Sequence, residues 1–339
     1  MKFFCRAVLF VAISISLTAC QSTPKPVNDE LLVEKSQLAA DTYQLWSIKL
    51  EQVEELARYS PNTYASINTL WQRIETNYRE FSDRPERMSA TSLFGSDTYY
   101  DRFAQDIKDV ERLYNDLIET QQQADVALRL STEHLNYLDS ISARDYYRSE
   151  YDRLARMYDR LFVIFDEQGR GRAELQQKEF LLRANTLEVK TIKRVHITPL
   201  ENISRELRRK DARNLVPESF ELVDLALIKA KGIIDVTPRD FDAIDASVAE
   251  INFQLSHSEN MLKAVQALRA LSRDHYERYI LDTEEHLLAI SRALSEADYR
   301  DRPLNVQFEE VLNVVEDQAD ELSTLRKENA LLRSLLKEE

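Results

Sequence analysis

The sequence predicts an all-α fold: an elongated bundle of long antiparallel helices, ending in a helix with coiled-coil character. Three observations predict it. Only 4 of the 339 residues are glycine, against an average of about 7%, so the chain lacks the turn-makers that many hairpins would need. Charged residues make up 31% and hydrophobic ones 43%, a balance that suits amphipathic helices with one buried stripe. Apolar residues also recur three and four apart through most of the chain beyond residue 30.

The N-terminus departs from this pattern. Lys2 and Arg6 form a short positive start, and Ala7 to Leu17 (AVLFVAISISL) is an apolar run of 11 residues. A spanning helix needs about 20, so the run reads as a secretory signal peptide over residues 1–19. Leu17-Thr18-Ala19-Cys20 resembles the lipobox of bacterial lipoproteins. That resemblance covers the first twenty or so residues. It implies cleavage before Cys20, a diacylglycerol on the Cys20 thiol and further acylation of the new amino group. Two or three acyl chains, such as palmitate, anchor stably where one is marginal. The resemblance also implies sorting by the following residue: Gln21, unlike aspartate, directs such proteins to the outer membrane of a Gram-negative cell. The expected location is therefore the outer membrane, with the body facing the periplasm.

Cysteine usage agrees. Cys5 lies in the removed segment and Cys20 would be consumed by lipid, leaving no thiol for a disulfide. Packing alone must then hold an exported fold. The formal charge is −14, and loss of Lys2 and Arg6 makes it −16. Such a chain is repelled by nucleic-acid phosphates and by anionic lipid headgroups, so nucleic acid is not an expected partner and membrane attachment rests on Cys20.

Residues 20–29 form a tether with Pro24 and Pro26, reaching roughly 30 Å, and Asn28 or Asp29 can cap the next helix. Helical region 1 spans 30–168. Its first helix carries Leu31, Leu38, Leu45, Ile48, Val53 and Leu56 at helical spacings. Ser60-Pro61 stops it and starts a second helix with Tyr64, Ile67, Leu70, Trp71 and Ile74. A loop around Ser82–Gly95 follows. Ser96 or Asp97 then caps a long helix to about Asp139, and another helix runs from about Ala143 to Gln168. Gly169-Arg170-Gly171 is the densest glycine in the chain and marks the expected internal boundary. Helical region 2 spans 172–298, with helices opened by Pro199, Pro217 and Pro238; the last is expected to run unbroken to about Ala297. After Tyr299-Arg300-Asp301-Arg302-Pro303, a C-terminal helix occupies 304–338.

A faint internal echo runs through these elements. Ser60-Pro61-Asn62-Thr63-Tyr64 is similar to Val216-Pro217-Glu218-Ser219-Phe220, either by duplication of a helical hairpin or because helices that start at proline look alike. Residues 215–257 loosely resemble helical periplasmic proteins that precede OmpA-like peptidoglycan-binding domains. The chain lacks the Asn-x-x-Leu-Ser-x-x-Arg-Ala pattern of such domains, so wall binding of that kind is not implied.

The C-terminal helix carries the sharpest pattern after the lipobox. With Phe308 at heptad position a, Val311 is d, Val315 a, Gln318 d, Leu322 a, Leu325 d, Asn329 a, Leu332 d and Leu336 a. Seven of these nine are apolar, and asparagine at an a position sets register in parallel two-stranded coils. Glu321 and Glu328 at g stand five residues before Arg326 and Arg333 at e, the pairing a parallel dimer uses. The expected seam is thus Phe308, Val311, Val315, Leu322, Leu325, Asn329, Leu332 and Leu336, engaging a second copy or an envelope protein partner. Leu331 and Leu335 widen the apolar face, which would equally suit antiparallel packing on the chain's own bundle.

A second pattern, Tyr147, Tyr151, Leu154, Tyr158 and Leu161, shares one helix face. It reads as a core edge with hydroxyls reaching solvent, or as a sugar-stacking stripe of a peptidoglycan- or glycan-acting protein. Chemistry is otherwise sparse. There is no phosphate-cradling Gly-x-x-x-x-Gly-Lys and no Gly-x-Ser-x-Gly. His134, His196, His257, His275 and His286 are scattered, with none in a Glu-x-x-His pair. All five are expected at the surface. No catalytic, cofactor-binding or metal-ligating residue is assigned. The expectation is a non-enzymatic scaffold or adaptor of the cell envelope.

Overall fold

The computed structural model describes residues 29–91 and 96–335. The expected signal peptide, the tether up to Asn28, Cys20, Gln21 and Leu336 lie outside the described residues. The fold is all-α. Among the described residues, the β structure is one antiparallel bridge between Thr91 and Thr98.

The chain divides into two units, one up to Arg194 and one from Val195. In the first, α1 (Asp29–Glu51), a 3-10 turn at Val53–Leu56, α2 (Pro61–Phe81) and α3 (Tyr99–Ser140) enclose Trp46, Ile74, Phe81, Met88 and Phe103. Ser60 caps α2, its Oγ accepting from Thr63 N, and Thr98, one residue past the expected Asp97, caps α3. The second half of α3 packs with α5 (Arg148–Gln168) and α6 (Arg170–His196) around Leu128, Leu138, Tyr158, Phe162, Phe180 and Leu187. Antiparallel pairing is visible in cross-helix contacts: Arg73 and Asn77 reach Asp106, while Phe81 meets Phe103.

In the second unit, α7 (Thr198–Arg209), α9 (Pro217–Val236) and α10 (Phe241–Ala270) bury Leu207, Phe220, Val223, Leu227, Ile234, Ile244, Ile251 and Leu255. Arg208 reaches Asp224, and Lys231 reaches Glu201, so α7 and α9 run antiparallel. After α11 (Tyr276–Leu294) comes α12 (Leu304–Leu335).

Four expectations need correction. The outward face of α1 carries Leu31, Leu38, Leu45 and Ile48, each at least half exposed, while Ala39 and Trp46 are buried; the larger indole chooses the buried stripe. The division falls at the end of α6 instead of at Gly169–Gly171, because Ala173, Phe180 and Ala184 join the core that α5 lines. Gly169 only closes α5, with φ +83, while Gly171 lies inside α6. The helix expected to run from Pro238 to Ala297 breaks at Leu271, whose backbone is extended, and a 3-10 turn at Arg273–His275 follows.

The last correction concerns direction. Gln307 Nε2 donates to Glu284 Oε1 (2.7 Å) and Gln318 Nε2 donates to the Leu294 carbonyl (2.9 Å). Both partners advance along the chain together, so α11 and α12 run parallel. The connection doubles back along α11, held where Ser291 Oγ donates to the Ala297 carbonyl and where Arg302 pairs with Glu310.

The echo seen in the sequence belongs to a larger repeat. Ser142 is left-handed (φ 54, ψ 36), the one-turn helix α4 (Ala143–Tyr146) follows, and Tyr147 (φ −138, ψ 52) leads into α5. Asp211 is left-handed (φ 68, ψ 23), the one-turn helix α8 (Ala212–Leu215) follows, and Val216 (φ −139, ψ 57) leads into α9. The residues match: Ser142-Ala143-Arg144-Asp145 against Asp211-Ala212-Arg213-Asn214. So does the core register, with Tyr151, Leu154, Tyr158, Leu161 and Phe165 against Phe220, Val223, Leu227, Ala230 and Ile234, all buried. The returning helices match too: Ala173, Phe180, Ala184 and Leu187 against Ile244, Ile251, Leu255 and Ser258, again buried. Helix α2 shares the core register of the first helix, with Tyr64, Ile67 and Ile74 at the positions of Tyr151, Leu154 and Leu161. The three helices are 21, 21 and 20 residues long.

Candidate functional site

The repeat allows one surface to be compared with itself. On α5 the residues facing away from the core include Arg153, Arg156 and Asp159; the matching positions of α2 hold Ser66, Thr69 and Gln72. On α9 they hold Leu222, Leu225 and Ile228, which are 44%, 54% and 66% exposed. Since α2 and α5 keep the same core register with polar residues there, α9 does not need leucine or isoleucine to fold. Single exposed apolar side chains are ordinary; three on successive turns of one face form a patch.

A groove beside this face shows the same substitution. Between the start of α9 and the end of α10 lies an open cavity of about 520 Å³, lined by Leu215, Val216, Pro217, Leu222, Met261 and Val265. Its counterpart between α5 and α6 is lined by Glu150, Arg153, Met157 and Arg183. There, Lys190 Nζ sits 2.7 Å from Glu150 Oε1. In α10 the residue matching Lys190 is Met261, and the one matching Glu150 is Ser219. The ion pair beside one groove is replaced by serine and methionine at the other. Glu218, Glu221 and His257 complete the lining, and His257 stacks on Phe253 one turn away.

The second exposed face is on α12. Val311 is 7% exposed, with Gln307, Leu287 and Ser291 also buried where α11 and α12 pair. Of the expected seam, Val311 therefore belongs to the chain's own packing. This is a correction, and it follows from the parallel course of α12. Phe308 is half exposed but precedes the point where α11 ends. Beyond Gln318 the helix has run past Leu294, the last residue of α11, and residues 316–333 are all exposed. Val315, Leu322, Leu325 and Leu332 are 41%, 49%, 52% and 60% exposed. Asn329 is exposed with them.

The tyrosine face of α5 is core. Tyr151 and Tyr158 are 8% and 7% exposed. Thr132 Oγ1 lies 2.9 Å from Tyr158 Oη, and the Tyr151 hydroxyl donates to Asp139. Tyr158 also packs edge-on to Phe162, so neither ring presents a face to a sugar. Burial and the Asp139 hydrogen bond push Tyr151 up to about 12; burial and the Asp125 carboxylate do the same for Tyr59.

One histidine departs from the surface expectation. His134 on α3 is half-buried, its Nε2 2.7 Å from Oε2 of the buried Glu188 on α6. This close contact is out of line for a hydrogen bond. Ser131, one turn before, is fully buried and its Oγ makes no hydrogen bond, so the three do not form a proton relay. Among the described residues no three His, Cys, Asp or Glu side chains gather as metal ligands, and no helix is long and apolar enough to cross a membrane.

No protein-family model, no curated protein and no solved structure matches this chain.

Proposed function

We propose that this chain is a lipid-anchored adaptor of the cell envelope, tethered through Cys20 to the outer membrane and offering its helical body to a protein partner in the periplasm. The anchoring part rests on Leu17-Thr18-Ala19-Cys20 and on Gln21. The adaptor part rests on one observation: the face and groove of α9 are apolar where the sister helices are polar. The occupant that fits is an amphipathic helix of an envelope protein, laying apolar residues spaced three and four apart into the groove. Glu218 and Glu221 on its edge, within a chain of charge −14, call for basic residues flanking that apolar stripe.

Two measurements test the two parts separately. Cys20→Ser should release the protein from the membrane fraction; failure of the wild-type chain to incorporate labelled fatty acid would refute anchoring and leave the groove reading intact. A photo-crosslinking residue at Leu222 should capture a partner through a basic-flanked amphipathic helix, mapped by mass spectrometry. The same residue at Arg153, the matching site on α5, should not. Equal capture at both sites, or a captured segment without that character, would refute the adaptor role.

A further inference from the structure

We infer that α12 pairs with α12 of a second copy of this chain, as a parallel, in-register two-stranded coiled coil running from Leu322 towards the C-terminus. The heptad pattern alone left the partner open, since the helix could have folded back on its own bundle. The structure removes that alternative for the last half of the helix. Its companion α11 runs parallel and ends at Leu294, level with Gln318, and residues 316–333 are exposed throughout. Leu322, Leu325 and Leu332 are about half exposed or more, and a helix with so regular an apolar stripe is covered by another helix in trans. The free part, Ala319 to Leu335, is about 24 Å long at about 1.5 Å per residue.

Charge selects the second copy and its direction. In a parallel in-register pair, Glu321 at g faces Arg326 at e of the other copy, and Glu328 faces Arg333. Two-fold symmetry makes each contact twice. In an antiparallel pair g faces g and e faces e, which sets glutamate against glutamate and arginine against arginine. Among the described residues none of these four side chains has a salt bridge of its own, so they are free for the partner. Asn329 at a, with its counterpart across the interface, favours two strands in this register over other assemblies. Leu331 falls at c and stays outside this seam. The pairing stands whether or not Cys20 carries lipid.

The test uses the full chain with Cys5 and Cys20 replaced by serine. Sedimentation equilibrium should give a concentration-dependent monomer–dimer equilibrium. Glu321→Lys with Glu328→Lys should raise its dissociation constant at least about tenfold, and adding Arg326→Glu with Arg333→Glu should restore it. Leu325→Cys, at d, should form a disulfide between copies on mild oxidation, while Lys327→Cys, on the outer face, should not. All these side chains are exposed, so circular dichroism should be unchanged. A monomer at every concentration overturns the inference. So does a dimer that Leu325→Cys fails to cross-link, or one indifferent to the two lysines.

Discussion

Giving α9 the outer face of its sister helix should separate folding from binding. The perturbation is Leu222→Arg, Leu225→Arg and Ile228→Asp, the residues α5 carries at those positions. Full burial of a leucine or isoleucine contributes about 1.5–3 kcal/mol. These three are 44%, 54% and 66% exposed, so each contributes about 0.5–1.7 kcal/mol. Arginine nearly matches leucine in helix propensity and its stem covers part of the same surface. The expected total loss is about 1–2 kcal/mol, or a fall in melting temperature of about 3–8 °C. Leu227→Arg is the contrast. Leu227 is 6% exposed, and a charge there has no partner, at a cost of several kcal/mol. The assay is thermal melting by circular dichroism, with crosslinking from a photo-reactive residue at Met261 run in parallel. The triple variant should keep its helicity and lose its crosslink. If it unfolds as Leu227→Arg does, the face is core and the comparison of sister helices is wrong. If it folds and still captures the partner, the face is not the docking surface.

Two further expectations follow from the first unit and from the junctions. Tyr59 and Tyr151 are pushed up to about 12 from an ordinary value of about 10, because folding favours their neutral forms. Their contribution to stability is therefore complete below pH of about 10 and is lost as pH rises through 12. Phenolate absorbance and circular dichroism, followed together, should show late-titrating tyrosines and weakening helicity in that window, with Tyr59→Phe less sensitive; titration of every tyrosine near 10 with the fold intact would refute this. At the two junctions, Ser142 and Asp211 hold φ of 54 and 68, a region closed to β-branched residues. Ser142→Val or Asp211→Val should each cost about 1–3 kcal/mol, whereas asparagine at either site should be nearly neutral; equal denaturation midpoints for valine and asparagine would contradict the shared junction geometry.

The helices were legible because their signals are local. Proline after a polar cap, glycine scarcity and three-four periodicity act within one or two turns, and Ser60-Pro61, Val216-Pro217 and the break before Leu304 all fall where those signals placed them. What failed depended on distant residues. On α1, leucines at seven-residue spacing competed with an indole and a tyrosine on the other face. Trp46 packs edge-on to Tyr114, and Tyr43 stacks on Tyr78; neither ring partner is visible from α1 alone. The pairing of His134 with Glu188 joins residues on different helices, beyond any i, i+4 search. The junction at Leu271 lacks proline and glycine. Its signal was Ser272-Arg273-Asp274, close to Ala143-Arg144-Asp145, which becomes readable only after the repeat is recognised.

The repeat also separates two causes for an apolar residue that sequence alone confounds. A leucine serves folding when its counterparts in sister helices are apolar and buried, as Leu154, Val223 and Ile67 are. Leu222, Leu225 and Ile228 fail that criterion, since Arg153, Arg156 and Asp159 do the same folding task with charge. Exposed apolar faces carry an aggregation liability, so polar residues would serve this surface better if nothing docked there. The same logic reaches the groove, where Met261 stands in place of the lysine that pairs with Glu150 beside the sister groove. Face and groove share Leu222 and lie side by side on α9 and α10. They therefore adjoin at Leu222 within the second unit, and a substitution at Leu222 should disturb a docked partner more than one at either margin.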